Sequence, residues 1–306
     1  MAGITAWRAM VVVAPLGIAA AAAAQPVQLR YHYRQGEQLR YDVTLKGNGT
    51  ISSPTLGQSG PLEMSGSLRY VSEVQKIDSS GNATVHTVVE DSSLTATWMG
   101  QPIPMTLQLP PVTTRMAPTG KILSCTVATS ASQQLPSLGL SGTGAATQAF
   151  DLTKFFGTTQ NAGFPRQPIS PGTEWSDTAT ITTAEGSKIN VSSTSKLLGL
   201  VTYRGRQCAK ISTTFSVPLS MQMAQEGLPF VLSGSDEGTV TTYFALAEGR
   251  MIGSVGKTHT NMTMGTGLPG VGTGMGISVS IQCQTDVRVA LVGTTPASRS
   301  TAPTSR

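Results

Sequence analysis

Between Ile277 and Leu291 the chain alternates strictly: Ile277, Val279, Ile281, Cys283, Val287, Val289 and Leu291 share one parity, and Ser278, Ser280, Gln282, Gln284, Asp286 and Arg288 the other. A period of two is the pleat of a β-strand, so this stretch predicts a long strand with one dry and one wet side. The same alternation puts Val27, Leu29, Tyr31 and Tyr33 on one face of a first strand. It puts Leu39, Tyr41, Val43 and Leu45 on one face of a second, with Gln35 and Gly36 turning between them. The tripeptide Leu-Arg-Tyr recurs at Leu29, Leu39 and Leu68, each time with Leu and Tyr on one side and Arg on the reverse. Such faces predict antiparallel strands covered on one side only.

Turn signals punctuate the pattern. Asp78-Ser79-Ser80-Gly81 precedes a strand from Asn82 to Glu90, Arg204-Gly205-Arg206 follows Val201, and Glu248-Gly249 separates Thr239–Leu246 from Arg250–Lys257. Gly36, the Gly81 hairpin and Thr119-Gly120 recur in order as Gly172, the Gly205 hairpin and Glu248-Gly249, which predicts a duplicated antiparallel unit. The expected organisation is an N-terminal β unit over 25–129, a linker over 130–163, a C-terminal β unit over 164–292 and a disordered tail over 293–306. The linker holds Ser137, Gly139, Ser141, Gly142 and Gly144 and then the one expected helix, Ala145 to Phe156. The fold class is all-β with minor α: long antiparallel strands in two repeated curved sheets or half-barrels.

The first 24 residues read as a secretory signal peptide: Arg8, an apolar run from Met10 to Ala20, and Ala22, Ala23 and Ala24 before Gln25. The run is too short to span a bilayer and no later stretch is long enough, so a secreted or periplasmic product without a transmembrane segment is expected. No cysteine follows the cleavage point for lipid attachment. Charged residues are 12% of the chain and the net charge of +5 is spread singly, falling by one when Arg8 leaves. Without a basic run, nucleic acid is an unpromising partner.

Candidate chemistry is sparse. Cys125, Cys208 and Cys283 allow one bridge at most, and in an oxidising compartment Cys208–Cys283 is the favoured pair, both lying in the second half. Their strand parities differ, so a bulge would be needed; the competing reading is three buried thiols. Gly265-Thr266-Gly267-Leu268-Pro269-Gly270 imitates a dinucleotide fingerprint but leads into a strand rather than a helix, so no cofactor is expected. Met221-x-Met223 and Met262-x-Met264 have soft sulfur suited to Cu(I), yet His259 is of opposite parity to Met262 and Met264, and Met221 and Met223 continue the apolar face of Ile211, Phe215, Val217 and Leu219. His32, His86 and His259 are isolated, so no metal is expected; His86, Glu90 and Thr84 share a face. No G-x-S-x-G elbow or triad context exists, and the protein is expected not to be an enzyme.

The run Phe164-Pro165-Arg166-Gln167-Pro168-Ile169-Ser170-Pro171-Gly172-Thr173-Glu174-Trp175, followed by Phe244-Ala245-Leu246-Ala247-Glu248-Gly249-Arg250-Met251, resembles uncharacterised secreted bacterial proteins of duplicated antiparallel β domains. These are similar in outline to the half-barrel lipoprotein carriers of the bacterial envelope. The resemblance implies a curved sheet whose concave face takes an acyl chain. The leading expectation is an exported, non-enzymatic carrier of an apolar or lipid-like ligand, with Tyr31, Tyr41, Leu45, Phe215, Met221 and Met223 lining its site. The alternative is a structural or protein-interaction module of the envelope with no ligand cavity. A hydrolase with carboxylates gathered from separate strands is the third reading.

Overall fold

The computed structural model describes residues 25–54, 57–103, 111–127, 163–182, 188–225, 228–266 and 278–296. The expected signal peptide, the expected linker helix and most of the glycine-rich run after Gly265 lie outside them. The strands are β1 (Gln38–Ser53), β2 (Gln58–Ile77), β3 (Ala83–Trp98), β4 (Gln101–Ile103), β5 (Val112–Met116) and β6 (Ile122–Val127). The second half holds β7 (Glu174–Thr182), β8 (Lys188–Tyr203), β9 (Arg206–Gln225), β10 (Leu228–Ala245), β11 (Arg250–Thr266) and β12 (Ser278–Thr295).

All twelve strands belong to one sheet of order β6-β5-β3-β2-β1-β12-β11-β10-β9-β8-β7, with β4 beside β3. Every pairing is antiparallel. The two expected β units are therefore the two halves of a single sheet, fused where β1 pairs with β12 from Gln38↔Thr295 to Ser52↔Ser280. Neighbours in the sheet are neighbours in sequence except at that junction and at β3–β5, where β4 folds back beside β3. The path is thus an up-and-down meander whose first and last strands meet in the middle and whose seam falls between β6 and β7.

At one end the two edges of the sheet approach each other. Lys121, just before β6, reaches Asp177 in β7 at 3.7 Å, and the Phe164 amide donates to the Thr119 carbonyl at 2.7 Å. Residues 25–37 run across this end. Their amides at Val27, Tyr31 and His32 donate to Ile169, Pro118 and Gly249. The expected first strand, Val27 to Tyr33, is only an isolated bridge, Val27↔Ile169. Its alternating apolar residues serve an end plug: Leu29 is buried with Phe164, Ile169, Leu197 and Phe244, and Tyr31 packs edge-on to Phe244 with ring centroids 5.1 Å apart. The chain past Leu291 is ordered strand as far as Thr295, because Gln38 and Leu39 pair with Thr295 and Thr294.

The Leu-Arg-Tyr repeats acquire a reason in the sheet. Tyr41 and Tyr70 are direct partners on β1 and β2 and stack at 5.1 Å on the inner face, with Leu68 buried beside them. On the outer face Arg69 pairs with Asp42 at 2.7 Å and Arg40 with Glu90 at 2.9 Å. These exposed pairs add little stability.

A buried ion pair ties the plug to the sheet. Glu37, just ahead of β1, accepts from Arg250 at 3.0 Å, and both side chains are under a tenth exposed. Cutting one partner strands the other charge away from water. Arg250→Met is therefore expected to lower unfolding free energy by about 3–5 kcal/mol, read from urea denaturation, whereas Asp42→Asn on the outer face should move the midpoint little. Equal midpoints for wild type and Arg250→Met would contradict the role given to the pair.

Candidate functional site

The inner face of the sheet is the feature that could hold a ligand. Its residues are set by strand parity and register, so rows of side chains run across neighbouring strands. One row crosses Val217, Asp236, Thr260, Cys283, Gly49, Leu62 and Trp98. The next crosses Phe215, Gly238, Thr258, Thr285, Gly47, Met64 and Ala96. Ile51, Leu62, Met64, Ala96, Phe215, Val217, Val240, Met262, Val279, Ile281 and Cys283 form one buried cluster with Trp98 against it. A second cluster joins Tyr41, Val43, Leu68, Tyr70, Met251, Val287 and Val289.

Glycine shapes this wall. A Cβ on Gly49 would stand 1.9 Å from the Gln282 carbonyl oxygen, and one on Gly238 would stand 2.8 Å from the Phe215 ring. The backbones of β1 and β12 therefore approach closely at Gly49, and Phe215 leans over Gly238. These positions admit no side chain without displacement.

Among the described residues the inner face carries no lysine or arginine in mid-wall, and Arg250 at the closed end is already paired with Glu37. Its polar groups are mainly hydroxyls. Ser195 and Thr213 share a hydrogen bond of 2.8 Å, and the Cys283 Sγ lies 3.6 Å from Thr285 Oγ1. Among the described residues the single mid-wall carboxylate is Asp236, whose Oδ1 accepts from Thr260 Oγ1 at 2.8 Å. Burial pushes its pKa above the ordinary carboxylate range, with the Thr260 hydrogen bond pulling the other way. Among the described residues, Trp98 Nε1, Trp175 Nε1 and Ser53 Oγ are buried without a hydrogen-bond partner.

The described side chains among those expected to line a ligand site fall in three different clusters. Tyr31 belongs to the end plug, Tyr41 and Leu45 to the tyrosine cluster, and Phe215 to the larger cluster. Met221 and Met223 lie in β9 opposite Leu232 and Phe230, and their side chains are outside the described residues. The expected trio of His86, Glu90 and Thr84 is not assembled: His86 Nδ1 lies 3.1 Å from Thr113 Oγ1, and Glu90 is taken by Arg40. Among the described residues no three of His, Cys, Asp or Glu gather as metal ligands.

The Cys208–Cys283 bridge is absent. Cys283 is buried on the inner face of β12, while Cys208 on β9 packs with Ala245 and Ile252 in a separate cluster beside Tyr203 and Tyr243. Two strands, β10 and β11, stand between them. A bulge in one strand cannot close that gap. Burial raises both thiol pKa values and makes them poor nucleophiles.

Asp236 and Trp98 escaped the sequence reading. Stepping by twos from Phe244 through Val240 reaches Asp236 and would have placed it inside. The polar run Ser233-Gly234-Ser235-Asp236-Glu237-Gly238 concealed that phase.

No protein family and no curated protein matches this sequence. Solved structures similar to it include lipovitellin, from a study of lipid–protein interactions, at 10% identity and TM-score 0.45 over 89% of this chain and 26% of that one. The chain thus spans about a quarter of the length of lipovitellin. Two others are DynF of the dynemicin biosynthesis pathway of Micromonospora chersina (10% identity, TM-score 0.21, 85% of this chain and 91% of that one) and a DUF1329 family protein from Desulfovibrio piger (10%, 0.20, 85% and 87%).

Two outcomes test this geometry. Alkylation after denaturation without reductant should add three labels, matching the three cysteines, and intact mass showing one label with a bridge would contradict the separation of Cys208 from Cys283. Above the ordinary carboxylate value of 3.8 an unfolded Asp236 loses its proton while the folded one retains it, so its contribution to stability falls as pH rises through the folded value. Asp236→Asn is therefore expected to gain urea stability relative to wild type as pH rises above about 4; a difference constant with pH would contradict the shift.

Proposed function

We propose that this chain is a non-enzymatic binding protein that works outside the cytoplasm and holds an apolar, lipid-like ligand against the inner face of its curled sheet. The observation that carries this reading is the inner wall itself: aliphatic, aromatic and small residues on strand after strand, without a mid-wall cation among the described residues. Eleven strands about 4.8 Å apart make a ribbon roughly 50 Å wide. Two facing sheets fill only about 10 Å between them with their own side chains. A ribbon of that width, drawn together at one end by Lys121 and Asp177, encloses room for a guest unless it flattens. The plug of Leu29, Phe164 and Phe244 supplies a dry floor. The leader-like first 24 residues support export, and no helix among the described residues is long and apolar enough to cross a membrane.

A packed structural module is favoured by a different observation. Leu62, Val217 and Cys283 already have almost no exposed surface within the chain. In that reading the sheet flattens and its two halves fill each other.

Native mass spectrometry of the protein from a bacterial export host separates the two readings. A carrier is expected to release an adduct of lipid mass on denaturation, and Phe215→Asp or Leu62→Asp, each folded by circular dichroism, should lose it. Bare protein in wild type, with no uptake of added hexadecane, would favour the packed module.

A further inference from the structure

We infer that Asp236 is the polar anchor of the inner wall and that it selects a neutral ligand, a long-chain molecule bearing one hydroxyl group, over an anionic lipid. This rests on the binding reading above and goes beyond it by naming the head-group chemistry.

The argument starts from the charge of the wall. A carboxylate or phosphate head group taken out of water needs a cation or a set of donors to replace its hydration. The inner faces offer no free lysine or arginine among the described residues, and Arg250 is occupied by Glu37 at 3.0 Å. The mid-wall carboxyl of Asp236 offers such a head group no countercharge. Fatty-acid anions and phospholipids are thus the wrong partners.

The wall suits an alcohol. Asp236 sits among hydroxyls: Thr260 donates to its Oδ1 at 2.8 Å, and Thr258 and Thr285 belong to the neighbouring row. Burial shifts its carboxyl toward the protonated form, which sets an O–H donor beside a carbonyl acceptor, and in either form the Oδ2 that Thr260 does not engage accepts from an alcohol hydroxyl. Three strands further along the same row, Gly49 leaves the wall without a side chain.

The test uses four probes of one chain length added to the purified protein: hexadecane, 1-hexadecanol, palmitate and hexadecylamine, with affinity read by competition against a fluorescent apolar dye. Hexadecanol is expected to bind about tenfold tighter than hexadecane, the worth of one buried hydrogen bond, and palmitate at pH 8 weakest. Asp236→Leu should erase the preference for hexadecanol while keeping hexadecane binding, and Asp236→Asn, which also presents a donor and an acceptor, should retain it. Equal affinity for hexadecanol and hexadecane, or a preference that survives in Asp236→Leu, overturns the anchor while leaving the binding reading intact. Tightest binding of hexadecylamine overturns it in favour of a charged pair. Failure of all four probes overturns the binding reading and the anchor with it.

Discussion

A broad antiparallel sheet with one apolar face cannot lie flat in water, and the curl that hides this face is the constraint on which the rest of the molecule depends. The curl is pinned at one end, where Lys121 meets Asp177 and the Phe164 amide meets the Thr119 carbonyl. Residues 25–37 cross that end and are held by backbone bonds to Pro118, Ile169 and Gly249, three points scattered through the sequence. Because the plug is tied to both halves of the sheet, its Glu37–Arg250 pair is buried where solvent cannot replace either partner. Such a pair contributes little net energy when intact and costs much when halved.

The meander makes the two halves of the chain one body. With first and last strands paired in the middle, the free edges are β6 and β7, and the long connection 128–162 joins them. An unpaired edge is a liability, and bringing the two edges face to face is one way to shield them. The inner wall inherits its chemistry from the same geometry. Close approach at Gly49 and Gly238 tightens the wall, and the ordinary two-residue phase of β10 delivers Asp236 into an otherwise uncharged surface.

Much of this was legible in the chain. The phase of β12 from Val279 to Val289, the inward Leu-Arg-Tyr residues of β1 and β2, and the turns at Gly36, Gly81, Gly205 and Gly249 follow from alternation and from glycine at positive φ. Val27 to Tyr33 misled because a plug that buries Leu29 and Tyr31 on one side has the same alternation as a strand. The Cys208–Cys283 pairing misled because parity assigns a face within a strand but not the number of strands between two faces. Asp236 was hidden by polar neighbours on both sides.

Sequence by itself determined the local answer: strands, their dry sides and most of their turns, because the two-residue pleat and the positive φ of a tight turn act on adjacent residues. Only the tertiary structure decided which strands are neighbours, that β1 joins β12, that the cysteines stay apart, and that a lone carboxyl faces the wall. Those outcomes depend on contacts between residues as distant as Glu37 and Arg250, and no local period encodes the partner of such a contact.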